Sequence, residues 1–258
     1  MIIEAPPGLV VGFVLASVRA AAWLLIVPPF ATRGIPAQVK IGLAAAIALP
    51  VAPVMQDAAP PMEVAPLVGA IVLQVVVGVT LGFMTALLFN AAQAAGEFID
   101  MMAGFSIAQI LDPISGQQAA PFGRFYQLMA VTLLFALDGH LLVVKGFMRS
   151  FDVVSVTFPS GDGLAELLIG GLTTFMVAAI EIAAPLLAAL FLAEVALGLL
   201  ARSAPQMNVF LLGLPFKILL TLSLAGLALP LLPGGVTSLI ENGVRAGSRV
   251  VELTTGGG

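Results

Sequence analysis

The residues best suited to catalysis are few in this sequence. His140 is the only histidine and there is no cysteine, so a His-Glu-x-x-His zinc site and thiol chemistry are both excluded. Ser106 could act as a nucleophile with His140 as its base, but it lacks the flanking glycine of a nucleophile elbow. Asp138 lacks the second aspartate that an intramembrane aspartyl protease needs. We therefore predict no enzyme, no cofactor and no metal, and we place His140 at a helix end near a membrane surface.

A second group of polar residues consists of charges inside apolar runs, namely Arg19, Glu181 and Glu194. A charge that faces lipid at the centre of a membrane costs about 2.5–3.5 kcal/mol, so these residues must face protein or water. The two glutamates are thirteen residues apart, which corresponds to about 220° around a helix. They do not share a face, so a double-carboxylate site on one straight helix is not expected. Lys217 lies nearer the end of its apolar run, and we expect its ammonium to reach the membrane surface.

Three interpretations of these charges remain open at the level of sequence. In the first, Arg19, Glu181 and Glu194 are buried structural charges that pair within the chain or with neighbouring subunits. In the second, they form a proton or ion relay, as in a stand-alone secondary transporter. In the third, they are exposed at the surface. Residue types alone do not distinguish the three.

The composition places the chain in a membrane. Hydrophobic residues make up 60% and charged residues 9% of the 258 residues, whereas soluble domains have about 45–50% and about 25%. A soluble domain could not bury this much apolar surface, so the excess must face lipid or other apolar subunits. The net charge of −4 includes no basic stripe, so we predict no binding to nucleic acid.

The elements that carry these residues are predicted to be helices. A spanning helix needs about 20 mainly apolar residues, and no segment alternates as a barrel strand would. The third and fifth apolar runs are longer than one crossing requires, so they either tilt, extend beyond the bilayer or break, and Pro185 is a candidate break in the fifth. The sequence therefore predicts an all-α polytopic membrane protein with broken helices, and six candidate spans: Leu9–Val27, Val39–Met55, Leu67–Ala92, Phe125–Val144, Leu167–Leu200 and Val209–Leu232.

Two small-residue motifs predict close packing between helices. Gly8 and Gly12 form one Gly-x-x-x-Gly motif, and Gly78 and Gly82 form another. Glycines one turn apart let two helix backbones approach closely, although the motif alone is weak.

The stretch from Gln93 to Arg124 behaves neither as a simple loop nor as a span. It begins amphipathic, with Glu97 and Asp100 one turn apart, then becomes apolar and breaks at Asp112-Pro113. Irregular backbone at membrane depth is tolerated only if it is buried in protein or lines a watery cavity. The residues alone leave two interpretations, a pore-lining or plugging loop and an ordinary linker outside the membrane.

Several long strings in the sequence resemble one known family. These are GFSIAQILDPISGQQAAPFGRFYQL and LFALDGHL in the middle of the chain, LARSAPQMNVFLLGLPFKI from Leu200 to Ile218, and RAAAWLLIVPPFATRGIPAQVKIGLA near the start. Together they are similar to the FliR family, the T-type subunit of type III export gates. The resemblance covers essentially the whole chain, in the family's order and length.

The resemblance implies a function as a structural and gating subunit of the flagellar type III protein-export channel. Its implied partners are the P-type and Q-type gate subunits, FliP and FliQ, together with FlhB and unfolded flagellar export substrates. The implied location is the bacterial inner membrane, in the flagellar basal body. The implied fold is a P-type and a Q-type hairpin unit joined in one chain, without catalytic residues.

The resemblance also implies a division of the chain. Residues 1–258 would form a single domain, with a plug-containing segment at 93–124 and a C-terminal tail at 236–258. The residues implied to project into the closed pore are Phe105, Ser106, Ile107, Ile110, Leu111, Asp112, Pro113, Ile114, Ser115, Gly116, Gln117 and Gln118.

Overall fold

The computed structural model describes residues 6–28, 30–31, 34–57, 59–105, 120–153, 161–206 and 208–228. All regular structure in these residues is helical. We number the helices in chain order: α1 is Pro7–Leu24, α2 Ala37–Ala48, α3 Ala52–Gln56, α4 Val64–Ala103, α5 Pro121–Ala136, α6 Gly139–Val153, α7 Gly161–Ser203 and α8 Val209–Ala228.

The prediction of one helix across Val39–Met55 is wrong. The chain forms α2 and then the short α3, with Pro50 in the break between them. Proline has no amide hydrogen and its ring clashes with the preceding turn, so α2 does not continue through Pro50. Pro53 lies in the first turn of α3, where a missing amide hydrogen costs nothing. Neither helix is long enough to cross a membrane.

The prediction of one helix across Phe125–Val144 is also wrong. Here α5 ends at Ala136 and α6 begins at Gly139. Asp138 lies between them with φ 54°, a left-handed conformation in which a right-handed helix cannot continue. Asparagine and aspartate adopt this conformation more readily than other residues with side chains. By length and composition, α5 and α6 together could still form one broken span.

The two longest predicted runs form single helices. The third run lies in α4, which has 40 residues, and the fifth lies in α7, which has 43. Pro185 lies inside α7, and the helix continues through it, so the break considered there is absent. Membrane helices tolerate proline because neighbouring groups can satisfy the backbone carbonyl that it leaves without a donor.

Three of the described helices, α1, α4 and α7, are long and apolar enough to cross a membrane, and a fourth span results if α5 and α6 count as one. The prediction of an all-α polytopic membrane protein with broken helices is confirmed for the described residues. The list of six spans is longer than these helices support, because α2 with α3 is too short to cross a membrane. The sixth predicted span, Val209–Leu232, coincides with the 20-residue helix α8 as far as Ala228, and its last four residues lie outside the described residues.

The described residues divide into two compact units. The first contains those of Met1–Leu88 and Asp138–Leu172, and the second contains those of Phe89–Leu137 and Thr173–Leu239. In the first unit α1 is central, with Leu15, Trp23 and Leu24 fully buried. The predicted glycine contacts are confirmed here. A Cβ added at Gly12 would lie 2.7 Å from the carbonyl oxygen of Ala52 in α3, and one added at Gly78 would lie 2.5 Å from that of Arg19 in α1.

The core of the second unit joins the end of α4, the start of α5 and the middle of α7. Its buried residues include Ile99, Tyr126, Leu186 and Leu190, and Leu220 of α8 packs against them. Small residues such as Ala95 and Ala183 separate the larger side chains, so the helices lie close together. This core supports the two ends of the central segment.

Candidate functional site

The central segment is flanked in the structure by Phe105, just after α4, and Ala120, just before α5. Phe105 is the only predicted plug residue that the structure describes. The other predicted plug residues lie outside the described residues: Ser106, Ile107, Ile110, Leu111, Asp112, Pro113, Ile114, Ser115, Gly116, Gln117 and Gln118. The described part of the site is therefore its base, where the end of α4 meets the start of α5 in the second unit.

Asp100 of α4 binds the first turn of α5. The backbone amides of Phe122 and Gly123 donate to its two carboxylate oxygens, at 3.1 Å and 2.9 Å. The Asp100 residue is 3% exposed. A helix N-terminus carries a partial positive charge, which favours a carboxylate at this position. The contact satisfies two amides that have no partner within their own helix.

Glycines on both helices permit this contact. A Cβ added at Gly96 of α4 would overlap the carbonyl group of Phe122, and one added at Gly123 would lie 2.8 Å from Cγ of Glu97. The rings of Phe105 and Phe122 are 5.8 Å apart and tilted by 45°, which adds an apolar contact beside the hydrogen bonds. We call Gly96, Asp100, Phe122 and Gly123 the clamp.

The amphipathic pattern of the sequence places Asp100 on a polar face with Glu97. That placement is correct for Glu97, which is exposed and accepts a hydrogen bond from Gln93 at 2.8 Å, but it is wrong for Asp100. The sequence at the start of α5 could have indicated that an acceptor such as Asp100 is needed there. The N-cap residue, Ala120, has no side-chain acceptor, so the amides of the first turn require an acceptor from elsewhere.

Arg19 occupies a separate buried site in the first unit. Its Nε donates to Oε1 of Gln74 in α4 at 2.6 Å. Its Nη1 donates to the backbone carbonyl oxygen of Ser150 in α6 at 2.9 Å and approaches Oγ of Ser150 at 3.4 Å. The guanidinium carbon also lies 4.3 Å from the ring centre of Phe151. Arg19 is 0% exposed and joins three helices.

A row of three aromatic rings extends from this arginine site. Trp23 stacks on Phe147 with ring centres 4.3 Å apart, and Phe147 meets Phe151 edge to face at 5.3 Å. The arginine is fully buried, so its hydrogen bonds lie in a medium of low dielectric constant, where they are stronger. The arrangement is suited to holding α1, α4 and α6 together.

The two glutamates predicted to be buried lie on the surface of the chain. Glu181 and Glu194 are both exposed on α7. Glu194 forms an ion pair with Lys217 of α8, in which the glutamate side chain is 56% exposed and that of the lysine 18%. From the sequence we expect only that the Lys217 ammonium reaches the membrane surface. In the structure it binds the carboxylate of Glu194. Burial of the glutamates in an assembly stays a prediction.

The described residues contain no group of three or more His, Cys, Asp and Glu side chains that could hold a metal ion. His140 lies in the first turn of α6, the helix-end position predicted for it. Ser106, its possible nucleophilic partner, lies outside the described residues.

Comparison with known proteins gives a consistent result. Residues 10–243 match the family described as "Bacterial export proteins, family 1". The chain is 35% identical to the flagellar biosynthetic protein FliR of Bacillus subtilis over 211 residues, which are 80% of this chain and 81% of that protein. It is 33% identical to FliR of Pectobacterium carotovorum over 219 residues, 84% of this chain and 83% of that protein.

A relative from a different system is similar over a shorter stretch. The Yop proteins translocation protein T of Yersinia pestis is 30% identical over 147 residues, which are 56% of each chain. The flagellar relatives are thus matched over most of their length and the Yop protein over little more than half.

Proposed function

Because the chain belongs to the FliR family of bacterial export proteins, we propose that it is a structural and gating subunit of a flagellar type III protein-export channel. The family makes it a type III export-gate subunit, embedded in a membrane with other export components, and a structural subunit rather than a known enzyme. The larger coverage of the flagellar relatives supports flagellar use over virulence use.

The base of the central segment is the observation that carries the gating role. Helix α4 ends at Ala103 and α5 begins at Pro121, and the Asp100 carboxylate joins these two helices. Because α4 and α5 are joined at this point, the segment between them can block or open the channel while the two helices stay in contact. We propose that Phe105–Gln118 is the plug of the closed channel and that unfolded flagellar proteins pass when it moves.

The proposed partners are FliP, FliQ and FlhB, in the bacterial inner membrane at the flagellar basal body. Large apolar side chains stand exposed on the chain, and such a surface requires lipid or other subunits to cover it. Glu181 and Glu194 are also exposed, on different faces of α7, and a carboxylate facing lipid is costly. Neighbouring subunits would supply polar or cationic partners. The most exposed apolar residues of α7 and α8 in the second unit include Phe191, Leu192, Leu199, Leu211 and Leu219.

No observation supports the alternative of a stand-alone secondary transporter. That function would use Arg19, Glu181 or Glu194 to couple solute and ion movement. Arg19 is fully enclosed and bound to Gln74 and Ser150, an arrangement suited to a structural residue. Glu194 is bound to Lys217 on the surface of the chain.

Co-purification tests the proposal. The tagged chain is expressed with and without FliP, FliQ and FlhB, extracted in mild detergent, and analysed by size-exclusion chromatography. We expect a stable complex in the presence of the partners and aggregation or loss of the chain in their absence, because its apolar surface is then uncovered.

A chain that elutes as a monodisperse monomer and does not bind FliP, FliQ or FlhB would contradict the proposal. Binding of a small solute to that monomer would favour the transporter. Neither result is expected from a subunit whose stability depends on its neighbours.

A further inference from the structure

We infer that Asp100 is a positioning residue of the gate, which holds the start of α5 against α4 and so fixes both ends of the central segment. The inference rests on the proposed function, because it gives the clamp its role through the plug. Its physical basis is the described geometry of the clamp alone.

The first turn of α5 depends on Asp100 for its hydrogen bonds. Pro121, the first residue of the helix, has no amide hydrogen. The next two amides, of Phe122 and Gly123, donate to Asp100, and that of Arg124 donates to the carbonyl oxygen of Ala120 at 3.0 Å. Every amide of the turn is therefore accounted for, and the two that Asp100 accepts have no acceptor on α5 itself.

The acceptor that caps a helix N-terminus usually belongs to the N-cap residue itself, where Ser, Thr, Asp or Asn is preferred. This chain has alanine at that position, Ala120, and takes the acceptor from a different helix. A cap at position 120 would stabilise α5 without attaching it to anything. A cap from Asp100 stabilises α5 and also ties it to α4, 22 residues earlier in the chain.

The close approach of the two backbones brings α5 within reach of the Asp100 side chain. Gly96 removes the side chain that would overlap the Phe122 carbonyl group, and it lies one turn before Asp100 on the same face of α4. Without this approach the short aspartate side chain could not reach α5. The sequence therefore provides both the acceptor and the space for it.

The test measures ion conductance of the assembled gate in lipid bilayers, with Asp100→Ala and Asp100→Asn in the full chain. Asp100→Ala removes both acceptor oxygens, and Asp100→Asn leaves one acceptor and sets an NH₂ group against an amide hydrogen. We expect the open fraction to rise about tenfold or more in Asp100→Ala, because the loss of even one of its two hydrogen bonds to a charged group corresponds to a factor of about ten. Asp100→Asn should lie between Asp100→Ala and the wild type.

The double variant Asp100→Ala with Ala120→Ser separates positioning from capping. The serine can cap α5 locally, so the yield of complex should recover, whereas the leak should persist because α5 is not tied to α4. Glu97→Gln is the matched control, since it removes an exposed carboxylate from the same helix and keeps the chain length of the side chain. It should leave the gate as tight as the wild type.

Three results would overturn the inference. These are a tight Asp100→Ala gate, a tight Asp100→Asn gate when Asp100→Ala does not assemble, and a double variant whose tightness recovers with its yield. The deletion of Ile114–Gln117 is measured beside them. If that deletion leaks while the Asp100 variants stay tight, the clamp inference fails and the proposed function stands, whereas a tight deletion refutes the plug itself.

Discussion

Two buried charged groups, Arg19 in the first unit and Asp100 in the second, are stabilised in opposite ways. Arg19 is a cation that donates to a side chain of α4 and to the backbone and side chain of one residue in α6. Asp100 is an anion that accepts from two consecutive backbone amides of one helix. Each group satisfies part of its hydrogen-bonding capacity in this way, as burial of a charge requires.

The sequence separation of the partners shows what each group does. Gln74 and Ser150 are 55 and 131 residues from Arg19, so this site joins parts of the chain that are far apart in sequence. Phe122 and Gly123 are 22 and 23 residues from Asp100 and lie just beyond the central segment. Loss of Arg19 should damage the first unit, whereas loss of Asp100 should release the segment and leave the helices intact.

Replacement of Arg19 is the largest expected effect. Arg19→Leu removes the hydrogen bonds that Arg19 donates to Gln74 and to the Ser150 carbonyl and loses the contact with Phe151, which together cost about 3–5 kcal/mol of unfolding free energy. We expect little chain in the membrane and no assembled gate. Arg19→Lys should retain more chain, because it keeps the charge but not the planar set of donors. Accumulation is measured by quantitative immunoblotting, and wild-type levels of Arg19→Leu would show that the site is not structural.

Two glycine substitutions give an intermediate effect and sharpen the same comparison. Gly78→Ala pushes α4 away from the Arg19 carbonyl group and should lower stability by about 1–3 kcal/mol and reduce the amount of chain. Gly96→Ala pushes α5 away from α4 and should leave more chain but a leaking gate. Gly69→Ala on the same α4 helix, where a Cβ meets nothing within 4 Å, is the control for both. Identical phenotypes for Gly78→Ala and Gly96→Ala would remove the distinction between the two regions.

Glu194→Leu should have the smallest effect on the chain itself. Exposed ion pairs contribute about 0–1 kcal/mol, so loss of the Lys217 pair should barely change the fold. We expect it to reduce the yield of assembled complex and to leave the conductance of completed gates unchanged. Glu166→Leu is the control, because Glu166 is another exposed glutamate of α7. A normal complex yield from Glu194→Leu would contradict a role of this surface in assembly.

Much of the fold follows from composition, because length and apolar content suffice to identify α1, α4 and α7 as long membrane helices. The rule that proline interrupts a helix holds at one of the following two positions. Pro50 interrupts a predicted span, whereas Pro185 lies within a continuous helix. The same residue type has opposite outcomes because the cost of a missing hydrogen bond depends on what surrounds the backbone at that point.

Less of the candidate site than of the fold could be predicted from the sequence. The irregular polar pattern and the family strings predict a plug in the central segment, but they do not indicate the contact between Asp100 and α5. A carboxylate that caps a helix 22 residues away leaves no local pattern, since its partners are backbone amides of residues with apolar or absent side chains. The pairing of Glu194 with Lys217 is similarly a product of the packing of α7 and α8.

The most direct measurement is the ion conductance of a purified gate whose chain lacks Ile114–Gln117. The account predicts a complex of normal yield that conducts ions, because the helices on either side of the deletion are held by contacts outside it. Wild-type gates and gates lacking the same number of residues at the chain end, Thr255–Gly258, should remain closed. A deleted gate as tight as the wild type would contradict the claim that this segment closes the channel.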